Sequence, residues 1–282
     1  MLESPAQILR RHGLKPKYSW GQNFLGDESA LSGIADALEL RPGETVVELG
    51  PGLGHLTRFL LDTGANVVAI ERDRDMAAVL RKELAVDRLR VVEANAAEAN
   101  YAEVAQSPRV AVAGNIPYHL TSPILFQCLE QRASISRVVL TIQKEVADRL
   151  GAEPGGREYG LLPALLGLYF DVHSLYDLPR GLFHPPPKVD SAVVRLWTRE
   201  KTRAEVDSDE RYMRVVKAGF AQRRKTLLNS LKTDRRLGEP EQIMAALEKA
   251  GIDPKRRAET LSPEEFAALE RALASAVPRL TE

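Results

Sequence analysis

The chain has 282 residues, of which 44% are hydrophobic, and this predicts one sizeable α/β domain with a smaller second unit. Its 39 basic and 39 acidic residues cancel, so the net charge gives no overall sign of a nucleic-acid partner. Its one cysteine, Cys128, excludes an internal disulfide framework, and no apolar run approaches the roughly 20 residues that span a bilayer. We expect a cytoplasmic protein with no membrane partner. We also expect no metal site, because His55, His119 and His184 match no zinc-binding pattern.

Short β-branched runs alternate with helical patterns over the first half of the chain. The predicted strands are residues 45–48, 66–71, 89–93, 110–113 and 138–142. The predicted helices between them are residues 56–63, 76–84 and 123–131. This alternation predicts a parallel sheet covered on both faces, and two later runs, 170–178 and 189–197, are predicted strands of an antiparallel edge.

The charged segment 198–208 lacks apolar periodicity, and it suggests a boundary between two domains, 1–200 and 201–282. The predicted helices of the second domain are residues 210–220, 223–231, 241–250 and 263–274. Within this domain the stretch 211–236 is rich in lysine and arginine and contains a single acidic residue, Asp234. A chain with no net charge can therefore still carry a local basic face.

A glycine-rich turn follows the first of the predicted parallel strands. Residues 48–54 read Glu-Leu-Gly-Pro-Gly-Leu-Gly, and Glu71 ends the next strand. Glycines allow a tight turn and a close approach of the backbone to a ligand, and a carboxylate at the next strand end can accept hydrogen bonds from ribose hydroxyls. The turn alone could be an ordinary βα connection, but with Glu71 it predicts a site for an adenosine-containing cofactor.

The spacing of these glycines bears on which cofactor is bound. A nicotinamide enzyme typically has G-x-G-x-x-G, whereas this chain has G-x-G-x-G preceded by Glu48. A pyrophosphate needs amide donors at a helix N-terminus, while a phosphate-free cofactor with a cationic sulfonium is better served by carboxylates such as Glu48 and Glu71. The pattern favours S-adenosylmethionine over a nicotinamide cofactor.

The fourth strand leads into Asn115, Ile116, Pro117 and Tyr118, at the edge of the sheet where such folds bind ligands. The side-chain carbonyl of Asn115 and the main-chain carbonyl of Ile116 could each accept one hydrogen of an adenine N6 amine. Pro117 would stiffen the turn, and Tyr118 offers a flat face for stacking. This predicts in-line methyl transfer by positioning and electrostatics, although Asn and Pro are also common in ordinary turns.

Several segments of the chain together resemble one known family. They are residues 17–25 (KYSWGQNFL), 48–54 (ELGPGLG), 115–118 (NIPY), 183–191 (FHPPPKVDS), 220–227 (FAQRRKTL) and 257–262 (RAETLS). They are similar to motifs of the ribosomal RNA adenine dimethyltransferases, a family that includes macrolide-resistance rRNA methylases and mitochondrial transcription-factor-B-like proteins. The resemblance implies a Rossmann-like class I S-adenosylmethionine methyltransferase domain with a smaller C-terminal all-helical, RNA-binding domain.

The same resemblance implies roles for particular residues. The residues that would hold S-adenosylmethionine are Asn23, Leu25, Gly50, Glu71, Asn95 and Asn115. Phe183 would stack on the target adenine opposite Tyr118, so that these two residues and Asn115 would be the catalytic residues. The family usually has Asp where this chain has Asn95, and we expect the loss of charge to weaken cofactor binding without abolishing it. Glu93 or Glu98 could instead supply the missing carboxylate.

The resemblance also implies the substrate. Bacterial members convert two adjacent adenosines near the 3′ end of 16S small-subunit rRNA to N6,N6-dimethyladenosine, with a role in small-subunit biogenesis. The residues that would grip RNA phosphates are Lys188, Arg223, Arg224 and Lys225. We expect a monomer that acts on this rRNA within a partly assembled 30S particle.

Two other functions stay open from the sequence. The chain could be a non-catalytic ribosome assembly factor, which would not need an intact cofactor site. It could also be a large-subunit rRNA adenine methylase of the macrolide-resistance type. The segments 220–227 and 257–262 favour the small-subunit enzyme, because macrolide-resistance methylases typically lack such an extended helical ending.

Overall fold

The computed structural model describes residues 2–222 and 224–276. The strands are β1 Phe24–Leu25, β2 Thr45–Leu49, β3 Asn66–Glu71, β4 Leu89–Glu93, β5 Val110–Asn115, β6 Ile135–Gln143, β7 Phe170–Leu178, β8 Phe183–His184 and β9 Ser191–Thr198. The helices are α1 Pro5–Arg11, α2 Glu28–Ala37, α3 His55–Asp62, α4 Arg74–Glu83, α5 Tyr101–Ala105, α6 Thr121–Glu130, α7 Lys144–Leu150, α8 Leu161–Tyr169, α9 Asp209–Phe220, α10 Leu227–Leu231, α11 Pro240–Lys249 and α12 Pro263–Ala276.

The main sheet has seven strands in the order β4-β3-β2-β5-β6-β9-β7. Strands β2 to β6 pair in parallel, and β9 runs antiparallel to β6, which confirms the predicted parallel sheet and its antiparallel edge. The chain moves outward from β2 through β3 to β4 and then returns to the other side of β2 as β5. Ligands of such sheets bind beyond the carboxyl ends of the strands at this reversal of order.

The central strands are apolar along almost their whole length. Val46, Val47 and Leu49 of β2 are fully buried, and so are Val112 and Ala113 of β5. Strands covered by helices on both faces bury both sets of side chains, which explains the absence of a clear alternation with polar residues. The buried sheet therefore holds the ends of β2 and β5 rigidly in register, with Glu48 opposite Ala113.

The chain divides into two compact units. The first comprises the described residues up to Ala147 together with Val172–Thr198, and the second comprises Asp148–Asp171 and the described residues from Arg199 onward. The predicted boundary between 200 and 201 differs from this division, because it assigns Asp148–Asp171 to the first domain. The cause is α8, which is apolar on nearly every side and packs against α9 and α12 of the helical unit.

The predicted helix 223–231 is too long. Helix α10 begins at Leu227, and Thr226 before it has extended backbone angles. The amides of Leu227 and Leu228 donate to the carbonyls of Arg256 and Pro254, at 2.7 and 3.3 Å, so a distant loop satisfies the start of this helix. Arg223 lies outside the described residues. Among the described helices, none is long and apolar enough to cross a membrane.

Candidate cofactor and active site

A cavity of about 270 Å³ lies at the carboxyl ends of β2, β3 and β5. The structure brings all the predicted cofactor-binding and catalytic residues to its wall. These are Asn23, Leu25, Gly50, Glu71, Asn95, Asn115, Tyr118 and Phe183. Since their positions in the chain are far apart, the fold and not sequence proximity brings them together, through the main sheet and the separate pair of strands β1 and β8.

The glycine turn after β2 forms one wall of the cavity. Gly50 and Gly52 have φ angles of +64° and +54°, in the left-handed region that favours glycine. A Cβ atom on Gly52 would lie 2.9 Å from the ring of Phe24, whereas one on Gly50 would meet no atom within 4 Å. Gly52 therefore lets Phe24 pack closely, and Gly50 leaves open space where a ligand could approach the backbone.

Glu71 holds this turn in place. Its Oε2 accepts a hydrogen bond from the Gly52 amide at 3.0 Å, and its Oε1 accepts one from the Asp73 amide at 2.8 Å. Burial raises the pKa of Glu71, while these backbone hydrogen bonds oppose the rise. Each carboxylate oxygen can accept more than one hydrogen bond, so Glu71 retains capacity for ribose hydroxyls.

The sequence pattern predicts Glu48 as a carboxylate suited to a cationic cofactor, and the structure does not favour the charged form. Its side chain is 1% exposed beside the cavity, and burial together with the nearby Glu71 raises its pKa to about 8. Glu48 is therefore largely protonated at neutral pH in this structure. Of the two carboxyl groups considered for a cationic cofactor, Glu71 is the better negative partner.

A small antiparallel ribbon joins the N-terminal segment to the predicted adenine-stacking residue. Strand β1 pairs with β8, so that Leu25 lies opposite Phe183 and Phe24 lies opposite His184. Phe183 is 5% exposed and packs in the same apolar core as Leu25. The ribbon thus places a predicted cofactor residue and a predicted base-stacking residue side by side.

Asn115, the last residue of β5, is oriented by a neighbour across the cavity. Its Nδ2 donates to the main-chain carbonyl of Asn23 at 3.0 Å, which leaves Oδ1 as the acceptor that Asn115 can offer a substrate.

The residue before Asn115, Gly114, was not singled out from the sequence. A Cβ atom there would lie 2.8 Å from the Leu49 carbonyl oxygen, so glycine is needed for β5 to approach β2 at this point.

Tyr118 is fixed from the other side. Its hydroxyl forms a 2.7 Å hydrogen bond with the hydroxyl of Ser191, a contact that the sequence did not predict. Burial raises the pKa of Tyr118, although the hydrogen bond with Ser191 opposes the rise. The phenol therefore remains protonated at neutral pH. That Tyr118 and Phe183 stack on the two faces of one adenine stays a prediction.

Asn95 follows β4 and is engaged at both ends of its amide. Its Nδ2 donates to Glu98 Oε1 at 2.6 Å, and its Oδ1 accepts from the Ala97 amide at 3.2 Å. Glu93 forms a 2.7 Å ion pair with Arg81. Of the two carboxylates that could compensate for the missing Asp, Glu98 is thus the one next to Asn95.

The predicted RNA-binding residues are exposed where they are described. Lys188 lies between β8 and β9 in the first unit, while Arg224 and Lys225 precede α10 in the helical unit. Arg223 is outside the described residues. Among residues 2–222 and 224–276, we find no group of three or more His, Cys, Asp or Glu side chains that could hold a metal ion.

The parallel sheet, with its cavity where the strand order reverses, is that of a Rossmann-like α/β protein with a ligand site. The sequence profile of one family, described as ribosomal RNA adenine dimethylase, matches residues 13–275. Ribosomal RNA small subunit methyltransferase A of Myxococcus xanthus is 64% identical over 277 residues, covering 98% of each chain. The protein of that name from Anaeromyxobacter sp. (strain K) is 51% identical over 280 residues, covering 96% of this chain and 98% of the relative. The chain belongs to the ribosomal RNA adenine dimethylase family, and the predicted family is confirmed.

Two crystal structures are similar over most of the chain. A dimethyladenosine transferase from Plasmodium falciparum has a TM-score of 0.76 at 25% identity, covering 90% of this chain and 98% of that one. The 23S rRNA methyltransferase ErmE has a TM-score of 0.67 at 32% identity, covering 89% of this chain and 99% of that one. These neighbours confirm the predicted fold class. The 64% identity to a small-subunit methyltransferase is twice the identity to ErmE, which makes the macrolide-resistance alternative the weaker one.

Proposed function

We propose that the protein transfers methyl groups from S-adenosylmethionine to the N6 amines of two adjacent adenosines near the 3′ end of 16S rRNA. The observation that carries this proposal is the position of Asn115. It lies at the end of β5, bonded to Asn23, in the same cavity as the glycine turn and Glu71. An amide acceptor for an adenine amine would therefore be adjacent to the proposed site of an adenosine cofactor.

The residues of the cavity fit S-adenosylmethionine. The open space over Gly50 would let the cofactor lie directly against the protein main chain, and Glu71 has acceptor capacity for ribose hydroxyls. Asn23 and Leu25 would contact the methionine end, and Asn95 would face the adenine. When bound, the cofactor supplies an electrophilic methyl group on a cationic sulfonium.

Asn115 and Ile116 would activate the target amine. An exocyclic adenine amine is a weak nucleophile because its lone pair is delocalised into the ring. In the first transfer, Asn115 Oδ1 and the Ile116 carbonyl would each accept one N6 hydrogen, favouring a tetrahedral nitrogen with a localised lone pair. In the second transfer one N6 hydrogen remains, and one of these two acceptors would bind it. The raised pKa of Tyr118 disfavours a tyrosinate base, so the surplus proton would leave to water. Positioning and preorganised dipoles would then provide the catalysis.

The proposed substrate is small-subunit rRNA within a partly assembled 30S particle, bound by a monomeric enzyme in the cytoplasm. The names of the Myxococcus and Anaeromyxobacter relatives support the small subunit. The exposed cations Lys188, Arg224 and Lys225, together with Arg223, would contact RNA phosphates.

The test is methyl transfer to small subunits that lack this modification. Purified protein is incubated with radiolabelled S-adenosylmethionine and such subunits, and the RNA nucleosides are analysed. We expect dimethyladenosine at adjacent positions near the 3′ end. Asn115→Ala should lower the rate by about 100-fold or more, because one preorganised acceptor at the reacting atom is lost. Asn66→Ala is the control, since Asn66 is an exposed residue at the opposite, amino-terminal end of β3.

Each competing function gives a different result in this experiment. Subunit binding without transfer would indicate an assembly factor. No transfer to small subunits, together with transfer to large subunits assayed in parallel, would indicate an enzyme of the macrolide-resistance type. Full activity of Asn115→Ala would contradict the proposed role of that residue.

A further inference from the structure

One buried carboxylate outside the predicted site joins the N-terminal segment to the loop after β3. Asp73 is 2% exposed, its Oδ1 accepts from Lys17 Nζ at 2.7 Å, and its Oδ2 accepts from Gln22 Nε2 at 2.7 Å. Gln22 Oε1 in turn accepts from the Lys17 amide at 2.8 Å. These three residues, which we call the Asp73 clasp, fix the segment 17–22 at both ends.

The charge of Asp73 makes this arrangement hard to open. Burial disfavours its ionised form, but the hydrogen bonds from Lys17 and Gln22 outweigh burial and hold the pKa of Asp73 below its ordinary value. Asp73 also accepts from the Asp75 amide at 3.1 Å and thereby caps α4. A buried carboxylate that loses its charged partner is strongly destabilised, so the segment is favoured in its closed position.

The clasped segment carries residues of the cavity wall. Ser19 to Leu25 line the cavity, and Trp20 has the Lys17 ammonium and the Arg72 guanidinium at 5.4 and 5.3 Å from the centre of its ring. Arg72 directly follows Glu71, which holds the glycine turn. The clasp therefore connects the segment that carries Asn23 to the strand end that carries Glu71.

We propose that Asp73 is a positioning residue, which holds the segment 17–25 closed so that Asn23 and Leu25 are preorganised for the cofactor. This rests on the proposed function, since the ligand of the cavity is taken to be S-adenosylmethionine. Ordering a free segment on binding would cost affinity, and a segment that is already ordered avoids that cost. The carbonyl of Asn23 also orients Asn115, but saturating cofactor would itself hold the segment closed. We therefore expect the clasp to act on cofactor binding and not on the methyl-transfer step.

The test compares Lys17→Met and Asp73→Asn with the wild-type protein. Asn is as good a helix cap as Asp, so Asp73→Asn retains α4 while weakening the bond to Lys17. Without cofactor, we expect faster hydrogen exchange of the amides in 17–25 in both variants. The dissociation constant of S-adenosylmethionine, measured by calorimetry, should rise roughly tenfold, as for the loss of a hydrogen bond to a charged group. The KM for cofactor should rise in parallel while kcat at saturation stays within about twofold.

Asp75→Asn is the matched control. Asp75 Oδ2 also accepts from Lys17 Nζ at 2.7 Å, but its side chain is 52% exposed, so we expect less than about a twofold change. Unchanged exchange and affinity in both Lys17→Met and Asp73→Asn would overturn the clasp, as would a fall in kcat without a change in the cofactor KM. A wild-type protein that binds no cofactor would overturn the proposed function instead, and the exchange rates would still decide whether Asp73 holds the segment.

Discussion

The resemblance to the family implies an Asp where this chain has Asn95, and the structure shows which groups surround that amide. The amide nitrogen of Asn95 donates to Glu98 Oε1 at 2.6 Å, so it is a hydrogen-bond partner of that carboxylate. A carboxylate at position 95 would instead put two negative groups at hydrogen-bonding distance, where like charges repel each other. The two positions therefore have to be considered as a pair.

We predict that Asn95→Asp combined with Glu98→Gln tightens S-adenosylmethionine binding by about three- to tenfold. The new carboxylate would be a charge-assisted acceptor for the adenine amine, and the glutamine would donate to it in place of the lost amide. Asn95→Asp alone should give a smaller gain because of the repulsion from Glu98, and Glu98→Gln alone should give none. Calorimetry on the wild type, the two single variants and the double variant measures the coupling between positions 95 and 98. If the double variant binds no tighter than the wild type, Asn95 does not contact the cofactor adenine.

At the scale of elements, the contact between β2 and β5 sets the geometry of the site. Gly114→Ala would place a methyl group 2.8 Å from the Leu49 carbonyl oxygen and 3.2 Å from the Leu49 side chain. We predict a loss of about 1–3 kcal/mol in the free energy of unfolding, because neither strand can move away within a buried sheet. Urea denaturation measures the loss. Gly181→Ala is the control, since a Cβ there would meet no atom within 4 Å. Equal stability of the two variants would contradict the argument.

The elements that the sequence predicted well are those with a local cause. The predicted strand 66–71 matches β3 and the predicted strand 170–178 matches β7, because β-branched and aromatic runs between turn residues favour strands wherever they pack. The predicted start of α10 was wrong because the first amides of this helix donate to the carbonyls of Arg256 and Pro254, and no local sequence pattern indicates those contacts. Helix α8 looked like part of the first domain because only its packing on α9 and α12 assigns it to the second.

The candidate site divides in the same way. Asn115, Gly50 and Glu71 were predictable because each ends or directly follows a strand, and strand ends meet at one edge of a parallel sheet. Asp73 was not, because Lys17, its ionic partner, is 56 residues away and nothing local pairs the two. The contact between Tyr118 and Ser191 spans 73 residues and was missed for that reason. Motifs thus locate the groups that would touch a ligand, whereas the residues that hold them require the structure.

At the scale of the whole molecule, the cavity and the basic stretch 211–236 lie in different parts of the chain. Every residue that lines the cavity belongs to the first unit, while Arg224 and Lys225 are exposed in the helical unit. The net charge of zero conceals this, because an excess of acidic residues in the rest of the chain, on both sides of the basic stretch 211–236, offsets it. If that stretch binds RNA, its contribution should be electrostatic and sensitive to salt.

We predict that Arg224→Ala combined with Lys225→Ala weakens binding to small-subunit rRNA and reduces the slope of log affinity against log salt concentration by about 1 to 2. Each lost phosphate contact removes roughly 0.7 to 0.9 of released counterion. The affinity for S-adenosylmethionine should not change, because neither residue lines the cavity. Lys249→Ala with Arg271→Ala removes the same charge from exposed positions outside the basic stretch, and it should leave the slope nearly unaltered. Binding isotherms at several salt concentrations measure the slopes. If both double variants reduce the slope equally, net charge alone attracts the RNA. If Arg224→Ala with Lys225→Ala leaves the slope unchanged, the RNA contacts lie elsewhere.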